Sequence, residues 1–331
     1  MSQGSRGAAR PDARTAKAKP SGDGSVPRPR DRAVPQRPSL YEEVTQRIIG
    51  ELEEGRVPWV QPWGRPNGPD VALPRNAATR RAYSGVNILL LWGAAIAGNY
   101  PSQEWLTFNQ ARALGGAVRK GERGVTLVYA DRFTPEEETE RATKREHESR
   151  PVAFLKRFTV FNVAQCDRLK LDASDPVALA PRAIVEIGEA LIRASGVEYR
   201  IGGNAAFYSP TFDVVQLPPP SAFPARIDYY RTAFHELSHA TGHATRLARD
   251  LTGAFGSNVY AREELVAEIG SAFLCAALGI APSVRHADYL GSWLAVLKQD
   301  ARAIFRAARA ASNAADWLLA RLVATDAEPA A

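Results

Sequence analysis

The sequence predicts an α+β protein of two domains behind a basic tail. Three observations carry this. The 331 residues suffice for one large domain or two ordinary ones. Both halves mix apolar runs at helical spacing with short strand-like runs. Residues 167–181 read as the connection between them. The expected boundaries are a tail at 1–38, an α+β domain at 39–168, and a mainly helical domain with a small antiparallel sheet at 169–325.

In chain order, residues 1–38 are rich in Arg, Pro, Ala, Ser and Gly, cannot bury a core, and are expected to be disordered. Ser39 and Glu42 have the spacing of a capping box, with Val44, Ile48, Ile49 and Leu52 supplying one helical face and Gly55 ending it. An extended aromatic stretch follows, from Pro58 to Trp63. Residues 88–97 predict a short buried helix, 125–130 and 154–161 two strands, and 131–151 between them a charged, solvated loop on the resulting hairpin. Ile184, Ile187, Leu191 and Ile192 mark a helix over 181–195, stopped by Gly196. Residues 198–201, 205–208 and 213–217 read as short strands, with Ser209-Pro210-Thr211 as the turn of a hairpin. A helix is expected to begin near 221–224. Residues 265–280 are almost wholly apolar, and 287–323 are helical in pattern, with Trp293, Leu297, Ile304, Phe305, Trp317 and Leu318 as core candidates.

The chemistry concentrates at His235-Glu236-Leu237-Ser238-His239. On a helix, residues four apart project from one face, and two imidazoles so placed close on one Zn²⁺. Glu236, beside them, is the candidate catalytic base, positioned to take a proton from the hydrolytic water. Three of the chain's five histidines fall between His235 and His243. Glu264 and Glu268 are also one turn apart and open the apolar segment, where carboxylates require a partner. The third-histidine pattern has Gly242 in place, but Thr245 stands where the last His belongs, so the Glu-ligand (gluzincin) type is favoured. The expected site is therefore one Zn²⁺, or a similar divalent ion, on His235, His239 and Glu264. Glu268 would orient a ligand from behind. Glu263, Glu268 and His243 are the alternatives should Glu264 not bind. Tyr260 or His243 could stabilise an oxyanion, and the sequence does not choose. A strand ahead of such a helix offers an edge to which an extended peptide can pair.

Composition narrows the setting. The net charge of +6 lies entirely in the tail, while 39–168 carries +2 and 169–331 carries −2. A near-neutral body excludes a strongly acidic DNA mimic, and any nucleic-acid surface must rest on local clusters. Cys166 and Cys275, far apart, read as free thiols. No apolar run is long enough for a membrane span and no apolar signal region opens the chain, so a cytoplasmic protein is expected. Residues 39–168 hold aromatics to stack on bases and cations to track phosphates. The candidates are Trp59, Trp63, Arg75, Arg80, Arg81, Tyr83, Arg119, Lys120, Lys156 and Arg157.

Several motifs in fixed order resemble the ArdC-like antirestriction proteins of mobile bacterial elements. They are Pro58-Trp-Val-Gln-Pro-Trp63, Pro74-Arg-Asn76, Tyr83-Ser-Gly-Val-Asn87, Trp105-Leu-Thr-Phe-Asn-Gln-Ala111, Leu114-Gly-Gly-Ala-Val-Arg-Lys-Gly-Glu122, Val160-Phe-Asn-Val-Ala-Gln165, the histidine motif through His243, and Glu263-Glu-Leu-Val-Ala-Glu268. The first domain also resembles the N-terminal part of TraC-type primases. The resemblance implies an N-terminal domain that binds single-stranded DNA, a C-terminal zincin-like metallopeptidase domain, and protection of incoming DNA from restriction. The partners expected are single-stranded DNA and a peptide or protein substrate, with no membrane. Two other readings stand beside this one: a non-catalytic protein that binds single-stranded DNA or the restriction enzyme and keeps a structural metal, and a generic cytoplasmic metallopeptidase.

Overall fold

Helix α1 (Leu40–Glu53) begins at the capping box. The Glu42 N–H donates to Ser39 Oγ, and the Ser39 N–H donates to the Glu42 carboxylate. The computed structural model describes residues 38–60, 71–133, 152–171, 180–282 and 289–327. The basic tail, Trp63 and most of the charged insertion lie outside them. The expected face of α1 is buried: Val44, Ile48, Ile49 and Leu52.

The first half builds a sheet from β1 (Arg75–Asn76), β2 (Glu104–Leu106), β4 (Val125–Phe133) and β5 (Val152–Asn162), in the order β1-β2-β5-β4. β4 and β5 form the predicted hairpin, and it runs further than the sequence suggested, with Val125 opposite Val160 and Phe133 opposite Val152. A separate ribbon pairs β3 (Ala117–Val118) with β6 (Cys166–Asp167), beside the short α3 (Phe108–Ala113). Helix α2 (Val86–Ala97) is apolar all round and accordingly buried from Val86 to Ala95 except at Asn87. It starts from Gly85 at φ 61 and ψ −143, a conformation open to glycine and strained for other residues. Asn87 fastens α2 to the hairpin, its amide donating to Val128 O at 2.7 Å and its carbonyl accepting from Val128 N at 3.0 Å.

The second half is mainly helical: α4 (Pro181–Ala194), α5 (Arg226–Ala240), α6 (Asn258–Ala277), α7 (Leu290–Gln299) and α8 (Ala303–Ala327). Its small sheet contains β7 (Glu198–Ile201), β8 (Phe207–Ser209) and β9 (Val214–Leu217) in the order β7-β9-β8. The antiparallel pairing expected here holds for β8 and β9, but β7 joins β9 in parallel, so the sheet is mixed. The chain leaves β7 through Gly202 and Gly203, both at positive φ, lays β8 at the far edge, and returns with β9 between them. The helical stretch read over 287–323 is two helices. Asp300 leaves helical geometry and its carboxylate accepts the Arg302 N–H at 2.9 Å, capping the new start.

The halves share one core. Trp59 meets Trp293 edge to face with centroids 5.6 Å apart, Trp92 meets Phe273 at 5.6 Å, and Tyr41 meets Phe305 at 4.8 Å. Thr45 Oγ1 donates to Ala301 O at 2.7 Å, and the Gly85 N–H donates to Ser312 Oγ at 2.8 Å. No described helix is long and apolar enough to cross a membrane.

Candidate functional site

His235 and His239 stand on one face of α5, and the first turns of α6 run against them. Their Nε2 atoms face each other at 3.1 Å. Glu264, on α6, brings one carboxylate oxygen to 3.4 Å from His235 Nε2 and the other to 3.6 Å from His239 Nε2. Three ligands at about 2.0–2.1 Å around a tetrahedral ion would have edges of about 3.3 Å. The three donors therefore already stand at ligand spacing for one small divalent cation. Glycine makes this approach of the helices possible: a Cβ on Gly270 would lie 2.9 Å from Ser238 Oγ across the α5–α6 contact.

The electrostatics fit a cation too. Glu236, Glu264 and Glu268 are all buried, as is His235, and Glu263 is nearly so. Burial pushes the His235 pKa down, but Glu264 and Glu268 outweigh it and hold the imidazole up at about 10. Burial raises Glu264, and the two histidines outweigh it, pulling the carboxyl down to about 2. The pocket thus favours positive charge at the point where the three donors converge.

Behind the donors, each outer ring nitrogen faces a carboxylate. His239 Nδ1 donates to Glu263 Oε1 at 3.1 Å, since an ionised carboxylate only accepts. Arg249 grips Glu263 with two N–H groups, at 2.7 and 3.0 Å, and also donates to Ser238 O and Thr241 Oγ1. His235 Nδ1 lies 3.8 Å from Glu268 Oε2. The Glu263–Arg249 pair was not singled out from sequence as an orienting pair. Adjacent residues on a helix point about 100° apart, so Glu263 reaches around the ring that Glu264 meets head-on. That geometry is the signal available in the sequence; Arg249, in an irregular loop, leaves none.

A cleft of about 340 Å³ opens at the donors, lined by Glu236, Tyr260, Tyr289 and, from the edge strand, Phe207 and Tyr208. Tyr260 Oη sits 3.1 Å from Tyr289 Oη, and burial together with neighbouring Tyr289 and Glu264 raises its pKa, so it stays a hydroxyl. His243 is not in the cleft lining. It accepts from Thr245 and lies 3.8 Å from Asp213. Arg246 clamps the β8–β9 turn to the end of α5 by pairing with Asp213 and donating to Ala240 O at 2.6 Å.

The residues read as DNA contacts divide. Trp59 is fully buried against Trp293, so its indole belongs to the core and offers a base no face to stack on. Trp63 lies outside the described residues. Arg75 and Arg80 converge on Glu104 Oε1, at 2.8 and 2.5 Å, beside exposed Arg81. Tyr83 is half-buried and accepts from Asn76 at 3.4 Å. Arg119 pairs with Glu122 at 2.6 Å, next to exposed Lys120. Lys156 and Arg157 are exposed on β5, the first 6.0 Å from the Tyr129 ring, the second 3.5 Å from Glu43.

Comparison with known proteins covers both halves. Residues 38–161 match the family described as the N-terminal domain of anti-restriction factor ArdC, and 186–310 match the zincin-like metallopeptidase family. The protein y4eC of Sinorhizobium fredii is 40% identical, over 87% of this chain and 94% of its own length. A DNA primase TraC of Escherichia coli is 38% identical over 85% of this chain, which spans only 27% of that primase. Crystal structures of ArdC from plasmid R388, one metal-free and one with Mn(II), superpose with a TM-score of 0.71 each. They share 37% and 36% identity, and the match covers 86% of this chain and 98% of theirs. The Mn(II)-bound ArdC structure is of a relative that takes a divalent metal, and with both family matches in place the chain belongs to the ArdC family of antirestriction proteins.

Proposed function

We propose that this protein protects incoming DNA from restriction by binding single strands through residues 39–168 and by hydrolysing peptide bonds at a zinc site in residues 169–325. The observation that carries the second part is the convergence of His235, His239 and Glu264 within 4.8 Å of one another at the floor of an open cleft. A zinc ion held there supplies Lewis-acid polarisation of a carbonyl and of water. Everything else falls to the chain. Glu263 and Glu268 fix the two imidazoles. Glu236, in the cleft and outside the donor triple, takes a proton from the attacking water and returns it to the leaving amine. The Tyr260 hydroxyl donates to the developing oxyanion. An extended peptide aligns along the open edge of β8 by backbone pairing, which sets its scissile bond over Glu236. For the DNA part, the support is the ArdC N-terminal match together with exposed Arg81, Lys120, Lys156 and Arg157.

The test is cleavage of an unfolded bacterial protein extract, read by labelling new N-termini. Zinc-loaded protein should generate them, while chelated protein and Glu236→Gln should not. Equal cleavage by Glu236→Gln would reject the site, and no cleavage by any form would leave a binding protein.

A further inference from the structure

A second cleft, of about 680 Å³, lies away from the metal donors, between the β4–β5 hairpin and α8. Arg302, Arg306 and Arg309 line one wall. Arg306 and Arg309 are one turn apart on one face of α8, and Arg302 stands in the turn just before it. All three are exposed. Arg302 lies over the Tyr41 ring at 4.8 Å, and Arg306 pairs with Asp300. Tyr129 stands on the opposite wall, 43% exposed, with Phe158 against its ring at 5.7 Å. Helix α2 ties the walls together: the Gly85 N–H at its start donates to Ser312 Oγ on α8, and Asn87 bonds to Val128 on the hairpin. Asp316 is the carboxylate in the lining, two helical turns beyond Arg309.

We infer that this cleft seats a single nucleic-acid strand, with the three arginines on its phosphates and Tyr129 stacked on a base. The inference rests on the single-strand reading above and moves part of that site onto α8, outside the residues assigned to it. A row of guanidiniums suits a polymer with regularly repeated phosphates, which each forked side chain meets with two N–H groups. An aromatic ring opposite them suits bases that are not already paired. The body carries little net charge, so this local row is the kind of cluster that nucleic-acid affinity requires here. A cleft of this volume takes a few nucleotides of one strand and leaves no room for a duplex.

The experiment is fluorescence anisotropy of the full chain with labelled oligothymidylate of twenty nucleotides, over a salt series. Arg302→Ser with Arg309→Ser should weaken binding at least tenfold and flatten the logarithmic salt slope by about 1.4, the loss of two phosphate contacts on a single strand. Tyr129→Ala should cost fivefold or more, and Tyr129→Phe should bind as wild type. Arg200→Ser, on an exposed strand elsewhere, should change nothing. Wild-type affinity and slope in the double variant overturn the inference, as does a preference of the wild type for duplex. Should the double variant melt early, Arg309→Glu alone decides: a tenfold loss upholds the site and unchanged binding overturns it. Failure of the wild type to bind any strand would instead reject the single-strand reading, and this site with it.

Discussion

Glu263 Oε1 lies 3.1 Å from His239 Nδ1, on the side of the ring away from the nitrogen that faces His235. Glu263 is therefore expected to set the tautomer and angle of His239 without touching the ion. Glu263→Gln should lower metal affinity ten- to a hundredfold while leaving a full site at saturating metal, as loss of an orienting partner typically does. Competition with a chromogenic chelator measures this. Complete loss of metal from Glu263→Gln would make Glu263 a ligand.

The direct donors should behave differently. Purified protein should carry about one divalent ion per chain, by the three-ligand geometry. His235→Ala, His239→Ala and Glu264→Ala should each lose it, and Glu236→Ala should retain it. Elemental analysis after gel filtration is the readout. A stoichiometric ion in Glu264→Ala would move the third ligand to Glu263 or Glu268.

How much of this could be read in advance depended on how local the cause was. The two histidines share a helix, so their spacing fixed their geometry. That Glu264 would meet them was legible because a carboxylate heading an apolar helix needs a partner. Arg249 was not, because its position follows from a loop that folds back on Glu263, and no periodicity encodes that path. Trp59 was a candidate for stacking on bases and is core. Its own neighbourhood, rich in proline and tryptophan, carries no trace of the Trp293 ring that covers it from 234 residues downstream. The parallel pairing of β7 with β9 was missed for a similar reason, since strand order depends on which gap the returning chain fills.

Glu236 separates the two proposed activities. It is buried at the cleft, belongs to neither the donor triple nor the α8 face, and lies far in sequence from the hairpin. Glu236→Ala should leave folding, metal content and single-strand affinity unchanged and abolish peptide cleavage. Protection of incoming DNA in cells, compared at matched protein abundance, should survive at least in part. Complete loss of protection with binding intact would make hydrolysis the mechanism.

Trp293 tests the shared core. It is fully buried between the halves, and Trp293→Ala should cost about 3–5 kcal/mol by cavity formation. The unfolding transition should stay single and move as a whole, because the residues it supports come from both ends of the chain. A variant in which the first half melts early and the second keeps its midpoint would show that the halves fold separately.

The packing of Trp59, Trp92 and Tyr41 against residues of α6, α7 and α8 also limits how this chain can be recombined. A crossover between the halves would strip aromatic surface from both products, so neither would be a soluble starting point for selection. The match to the much longer TraC primase runs through both halves together, over 85% of this chain. What recurs in that relative is then the undivided pair. The proposed strand-binding face and the candidate metal cleft rest on one core, so neither can be lifted out as a separate solid.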